Sequence, residues 1–381
     1  MLNFVNYIDR TTMHLQTIIA NSLIYFTIHN KTTPIDNVTR LIIMWLREYS
    51  CCINTFIAYR VIILRYFLWL KYNNLSISTT TSYHFLAYAE FLRAPPPSWC
   101  NIHRQKFNNP DWRPLQKPLS LSSIKRNLLK IRQMYIYLFH SGYIDFKVFN
   151  LRLYNYRQQP PATEDKYLTE TEYNILLTYI SKMPDNTQHL QHIKQKTSWL
   201  FKLLYYTGCR RNELATATMD DIIFDGRKLW LKVTGKGSKP GKIPIVNELF
   251  TALEHYRQFW GLPSIISRKK SEAHIPLIIH YFSDATYYPI LSGQIWFITK
   301  SICVSIASST TDLQISNKFL RISPHWFRHT SATHQIESGI DLRIVQQNLR
   351  HSNAKTTLRY VHQDATKRHA ETVTKFPANL K

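Results

Sequence analysis

Apolar residues recur at three- and four-residue intervals through most of this chain, the spacing of a helix with one buried face. Between residues 53 and 72, Tyr59, Ile62, Ile63, Tyr66, Phe67 and Leu70 follow that spacing, while Arg60, Arg65 and Lys71 lie elsewhere on the circumference. The aromatic stripe formed by Tyr59, Tyr66, Phe67 and Trp69 reads as core. Similar runs at 37–48, 81–92 and 122–143 predict four helices before residue 150. A second set opens at Thr169, with Glu172 at the capping-box position, and continues at 189–206, 247–260 and 291–308. Ser323 and Pro324 mark a further start, since proline suits the first helical position, where no N–H is needed. Another helical run follows at 341–350. The period shortens to two around 229–234, a strand. Residues 235–241 read as a hairpin turn and 242–246 as the returning strand, whereas 261–288 read as irregular. The predicted fold class is mostly α with a small antiparallel β-sheet.

The breaks in the pattern suggest the domain organisation. Residues 1–34 form an extension of mixed polarity, a helix or an arm. Residues 35–150 form a helical domain, interrupted by a Pro-rich loop at 94–118 that is long for a compact domain and therefore suggests function or disorder. Residues 151–166 read as a basic linker, kept extended by Pro160-Pro161, and 167–381 form a second domain.

Charge narrows the class of partner. The chain has 48 Lys and Arg against 24 Asp and Glu, a formal net charge of +24. That excess implies a polyanion, with nucleic acid first among them. A membrane is not expected: the most apolar early run, 61–70, is broken by Arg65, and residues 2–28 lack a basic leader and a cleavage site. The five cysteines have no metal-ligand spacing, which predicts reduced thiols in a cytoplasmic protein. Sixteen histidines include no H-E-x-x-H box, so neither a metal nor a cofactor is expected. Arg60, Arg65, Lys125, Arg126 and Lys130 on the helices, with Arg113 and Lys117 in the long loop, are the candidate phosphate contacts. Such contacts position a duplex without reading its sequence. Arg211 and Lys239 join them from the second domain.

The candidate chemistry lies in that domain. His325 and Arg328 are three apart and share a helix face. His351 follows the next helix, and Tyr360 falls on a third helical run from about residue 354. Upstream, Thr207-Gly208-Cys209-Arg210-Arg211-Asn212-Glu213-Leu214 places a second guanidinium where one helix stops and another starts. Lys236 sits at the hairpin turn. A phenol nucleophile, two planar cations for the non-bridging oxygens, imidazoles and an ammonium to move protons form a set suited to attack on a phosphodiester.

In this order and spacing, Arg210, Glu213, Lys236, His325, Arg328, His351 and Tyr360 closely resemble the tyrosine recombinase (phage integrase) family. The resemblance is strong over residues 165–369. It implies a two-domain DNA clamp whose helical domain is the core-binding domain, and a catalytic domain with a C-terminal segment, residues 365–375, that docks on a neighbouring protomer. It assigns Arg210, Lys236, His325, Arg328, His351 and Tyr360 to catalysis and makes Glu213 a support, with His329 left to packing. The implied activity is site-specific recombination of double-stranded DNA through a 3′-phosphotyrosyl intermediate and a four-way junction. The implied assembly is a homo-tetramer on two DNA sites in the nucleoid, with room for accessory DNA-bending proteins. A type IB topoisomerase would share the Tyr and Arg chemistry, but that family typically has Lys where His325 stands. A catalytically idle DNA-binding regulator is the other rival, and the complete residue set argues against it. One departure is Arg350, where the family usually has Gly, which adds a charge beside the site.

Overall fold

The computed structural model describes residues 37–103, 105, 109–145, 166–235, 240–281 and 287–350. The predicted extension, most of the linker, the hairpin-tip Lys236 and Lys239, and His351, Tyr360 and the C-terminal segment lie outside the described residues. The chain divides into two compact units, Met1–Gln159 and Pro160–Lys381.

The first unit is helical. Helices α1 (Asn37–Arg47), α2 (Ile53–Tyr72), α3 (Ser82–Arg93) and α4 (Leu121–His140) carry its core. On α4, Ile124, Asn127, Leu128, Ile131, Met134, Tyr135 and Leu138 are buried, which is the three-four spacing of a single apolar stripe. Tyr66 and Trp69 of the aromatic stripe are fully buried, and Tyr59 and Phe67 pack against the same core. The phenols of Tyr66 and Tyr135 meet each other at 2.9 Å, so neither hydroxyl is buried without a partner. By length and composition alone α2 would pass for a membrane-crossing helix. It is instead a core element whose buried side chains include Phe56, Ile62 and Ile63.

The described part of the 94–118 loop is anchored at both ends. A 3₁₀ turn at Pro97–Trp99 buries Trp99, and Cys100 forms a parallel bridge with Leu115. Arg65 reaches up from α2, its Nε donating to the Pro114 carbonyl at 3.1 Å and Nη1 to Asn127 Oδ1 at 3.2 Å. Its guanidinium thus braces the loop against α4 while the residue stays only part-buried.

The second unit is mixed. Helices α5 (Glu170–Ser181) and α6 (Gln188–Thr207) lead into the short α7 (Arg211–Thr216). Thr169 and Glu172 form the expected capping box. Strands β1 (Ile222–Asp225), β2 (Lys228–Thr234) and β3 (Pro240–Pro244) form an antiparallel sheet in that order. Leu231, Val233 and Ile243 face the core while Lys232 and Lys242 face solvent. The returning strand starts two residues earlier than predicted, with Thr234 opposite Pro240. A proline is tolerated there because the first residue of an edge strand need not donate to the ladder.

After α8 (Asn247–Phe259), strands β4 (Ile279–Tyr281) and β5 (Tyr287–Pro289) form a second antiparallel pair, in a stretch expected to be largely irregular. Helices α9 (Ser292–Ser309), α10 (Leu313–Arg321), α11 (Pro324–Glu337) and α12 (Leu342–Leu349) close the described part. Pro324 occupies the first turn of α11 as predicted, but the Ser323 side chain makes no capping bond. Helix α11 packs on α6 and α12, and α12 packs on β3, which brings the end of α6, the start of α11 and the end of α12 to one place.

Candidate active site

Three buried helix ends build the site. Helix α6 stops at Gly208, whose left-handed backbone (φ 55°, ψ 19°) is the glycine form of a helix C-cap. A Cβ there would lie 2.6 Å from Leu349 Cδ2 and 3.3 Å from Ser331 Oγ, so the Thr207-Gly208 pair marks both a turn and a close approach. Thr207 accepts from the Cys209 amide at 3.2 Å and donates to the Leu203 carbonyl, satisfying the turn internally. Arg210 then caps α7 with extended backbone. Its amide donates to Glu213 Oε2 at 2.8 Å and its Nη1 to Glu213 Oε1 at 2.8 Å.

Glu213 is buried, 5% exposed at its side chain, whereas Arg210 is 39% exposed. The carboxylate thus fixes a guanidinium that still reaches solvent. Glu213 also accepts from Arg350 Nη2, so one carboxylate orients two guanidinium groups. The sequence pattern had marked Arg350 only as a departure; its Arg-for-Gly identity next to His351 was the available signal.

Arg328 is buried in α11. Its Nη1 donates to the Gly208 carbonyl at 2.8 Å, and its Nη2 donates to the Leu349 carbonyl. Both are orphan acceptors at helix ends, so Arg328 joins the end of α6 to the end of α12 while its charge stays in the site.

His325 stands one turn before Arg328 with its ring in reach of solvent. The surrounding protein desolvates it, and the like charges of Arg328, Arg210 and Lys166 act with that desolvation to push it below the ordinary histidine range. A neutral imidazole at neutral pH is the form that accepts a proton. His329 lies edge-to-face against His325, ring centroids 4.5 Å apart. Arg211 is exposed on the outer side of α7. Cys209, buried beside the site, has its thiol pushed up by desolvation. The described part of the site therefore brings together Arg210, Glu213, His325, Arg328 and Arg350.

Residues 166–367 match the phage integrase family. The chain belongs to the phage integrase family. It is a tyrosine recombinase, an enzyme that breaks and rejoins DNA strands in site-specific recombination. Among its relatives, the tyrosine recombinase XerC of Pediococcus pentosaceus is 30% identical over 247 residues, covering 64% of this chain and 72% of that protein. Two solved structures share the recombinase fold. The Tn1549 transposon integrase in complex with a circular intermediate DNA has a TM-score of 0.59 at 17% identity, covering 88% of this chain and 99% of that one. The XerH site-specific recombinase bound to a palindromic difH substrate has a TM-score of 0.58 at 16% identity, covering 84% and 80%.

In the first unit, a groove of about 870 Å³ is lined by Arg60, Arg65, Trp112, Arg113 and Lys117 among others. Arg113 and Lys117 are exposed. Lys125 and Arg126 are exposed on α4, and Lys130 lies over the Tyr59 ring at 4.5 Å and donates to Gln133 Oε1 at 3.0 Å. Arg113 and Lys117 are thus exposed on the groove rim, although Arg113 Nη1 donates to the Pro110 and Trp112 carbonyls at 2.9 and 2.8 Å; Lys125 and Arg126 are exposed on α4, and Lys130 is held by its neighbours.

Proposed function

We propose that this recombinase cuts one strand of a DNA duplex with the phenol of Tyr360. The Tyr360 oxygen bonds to phosphorus as the bond to the 5′-oxygen breaks, leaving a 3′-phosphotyrosyl link and a 5′-hydroxyl. His325 takes the phenolic proton and Lys236 returns one to the leaving oxygen. Arg210 and Arg328 meet the non-bridging oxygens as planar forks, with His351 as a further donor. Attack by a 5′-hydroxyl from a second duplex reverses the step and frees Tyr360. No ATP enters, because the covalent link keeps the energy of the phosphodiester.

The observation that carries this reading is the arginine cluster itself. Three guanidinium groups converge where one carboxylate and three carbonyls receive them. Among these groups positive charge is in excess, and preorganised charge of that sign stabilises a phosphoryl-transfer transition state. The neutral bias of His325 fits the base role. The groove bearing Arg113 and Lys117 suits a phosphate backbone, and the two fold relatives solved on DNA support a duplex as partner. Exchange between two duplexes would engage four protomers on cytoplasmic, nucleoid-associated DNA.

The test uses a pool of nicked duplexes of random sequence, in which cleavage near the nick releases a short fragment and traps the adduct. Covalent adducts are recovered under denaturing conditions, in excess chelator and without ATP, and their DNA is sequenced. The expected result is an enriched site and a DNA-linked peptide containing Tyr360, both lost in Tyr360→Phe while binding persists. Adduct on a different residue, or cleavage that needs a metal ion, would overturn the mechanism. Relaxation of supercoils without exchange between two copies of the recovered site would point to topoisomerase activity.

A further inference from the structure

Arg350 ends α12 with φ 55° and ψ 45°, a left-handed conformation in which an L side chain is strained and glycine is at ease. An arginine held there must have compensating contacts. Its Nη2 donates to Glu213 Oε2 and its Nη1 to the Asn348 carbonyl at 3.1 Å, and its side chain is only 11% exposed. Its stem runs over the bare Cα of Gly241 on β3: a Cβ at Gly241 would lie 2.4 Å from Arg350 Cδ and 3.1 Å from Cγ. The backbone of Gly241 itself has no need of glycine, since its φ is not in the left-handed region. Space for Arg350 is what it supplies.

We infer that Arg350 is a positioning residue, a clamp that fixes the end of α12 against both Glu213 and Gly241. It rests on the phosphotyrosyl reaction proposed above. Glu213 Oε1 holds the Arg210 guanidinium, and Oε2 accepts from both the Arg210 amide and Arg350 Nη2, so the clamp ties the phosphate-binding arginine, strand β3 and the end of α12 into one unit. Buried against Glu213, Arg350 acts through these neighbours and not on the phosphate. Position 350 and position 241 are therefore a matched pair: arginine at one requires glycine at the other.

The experiment uses the full chain and the duplex recovered from the random pool, with adduct formation measured in a single turnover at saturating protein. Arg350→Gly is expected to slow cleavage by about tenfold or more, since displacing a reacting group by about 1 Å costs up to roughly 10²-fold, with duplex affinity unchanged. Arg350→Lys restores part of the rate, because an ammonium cannot hold Glu213 and the Asn348 carbonyl as a planar fork. Gly241→Ala slows cleavage in the wild-type background but adds no further loss in Arg350→Gly, where the new methyl meets the space the arginine left. Wild-type rates in both Arg350→Gly and Gly241→Ala would overturn the clamp, as would equal losses from Gly241→Ala in both backgrounds. If Arg350→Gly does not fold, Arg350→Lys and Gly241→Ala decide: both at the wild-type rate overturns it.

The same cycle read in melting temperature requires no DNA. Gly241→Ala should lower the Tm in the wild-type background and leave Arg350→Gly unchanged, and equal shifts would refute the contact. A wild-type protein that forms no adduct sinks the phosphotyrosyl reading alone, because the melting cycle still tests the clamp.

Discussion

Replacing Gly208 by alanine probes the junction on which the site is built. Alanine at φ 55° carries the left-handed cost of about 1–2 kcal/mol. Its Cβ would also sit 2.6 Å from Leu349 Cδ2 and 3.3 Å from Ser331 Oγ, and overpacking of that kind costs typically about 1–3 kcal/mol. The two effects together destabilise the protein by about 2–5 kcal/mol, a large part of the roughly 5–15 kcal/mol that holds an ordinary domain. For a unit of this size each kcal/mol lowers the Tm by about 2–4 °C, so calorimetry of the full chain should show a fall of roughly 4–20 °C. Leu349→Ala separates the contributions. It removes the clashing methyl at its own cost of about 2–5 kcal/mol for a fully buried leucine, and leaves Gly208→Ala with the backbone cost and the lesser contact to Ser331. The double variant should therefore be more stable than additivity predicts by about 0.5–3 kcal/mol. Cleavage should fall as well, because the Leu349 carbonyl receives Arg328. A wild-type Tm for Gly208→Ala, or strict additivity with Leu349→Ala, would refute the reasoning.

Further expectations concern charge and exposure. Duplex affinity should fall with salt on a log–log line with a slope of about −0.9 per phosphate neutralised; an affinity flat between low and moderate salt would refute phosphate-dominated binding. Neutralising Arg113 and Lys117 together should weaken binding and spare the cleavage rate of bound complex, and the reverse pattern would show that the groove does not serve binding. The imidazole of His325 should titrate, by NMR, below the usual value of 6.5, and Lys166→Gln should raise it by removing a like charge. The sign for stability follows: a depressed histidine keeps its contribution fully above the unfolded value, near 6.5, and loses it as pH falls through the folded value. A midpoint at or above 6.5 would contradict the cationic surroundings. A thiol reagent should label exposed Cys51 and Cys52 in the native protein before Cys209 and Cys303, which are buried, the latter with its thiol pushed up to about 12 by desolvation; early labelling of Cys209 would argue against the closed junction.

Much of the helical framework was written locally. Periodicity marked α2 from Ile53 to Tyr72, and Thr169 with Glu172 marked the start of α5, because caps and apolar stripes depend on residues within a turn or two of one another. The T-G-x-R-x-x-E-L order gave the end of α6 and the start of α7 for the same reason. Elements with little apolar content were less legible. Helix α10 buries Phe319 alone among its side chains, and β4 and β5 are three residues each, too short for alternation to register. Contacts between distant segments had no local signature at all. The bonds from Arg65 to Pro114 and Asn127 join residues 49 and 62 positions away. Gly208 looked like a turn glycine, and only the packing of α12 showed that Leu349 occupies the space a side chain would need. Arg350 read as an added charge. Its left-handed backbone and its shared hold on Glu213 exist only once α7, β3 and α12 have converged, since a side chain's partners at large sequence separation are set by packing and not by the residues beside it.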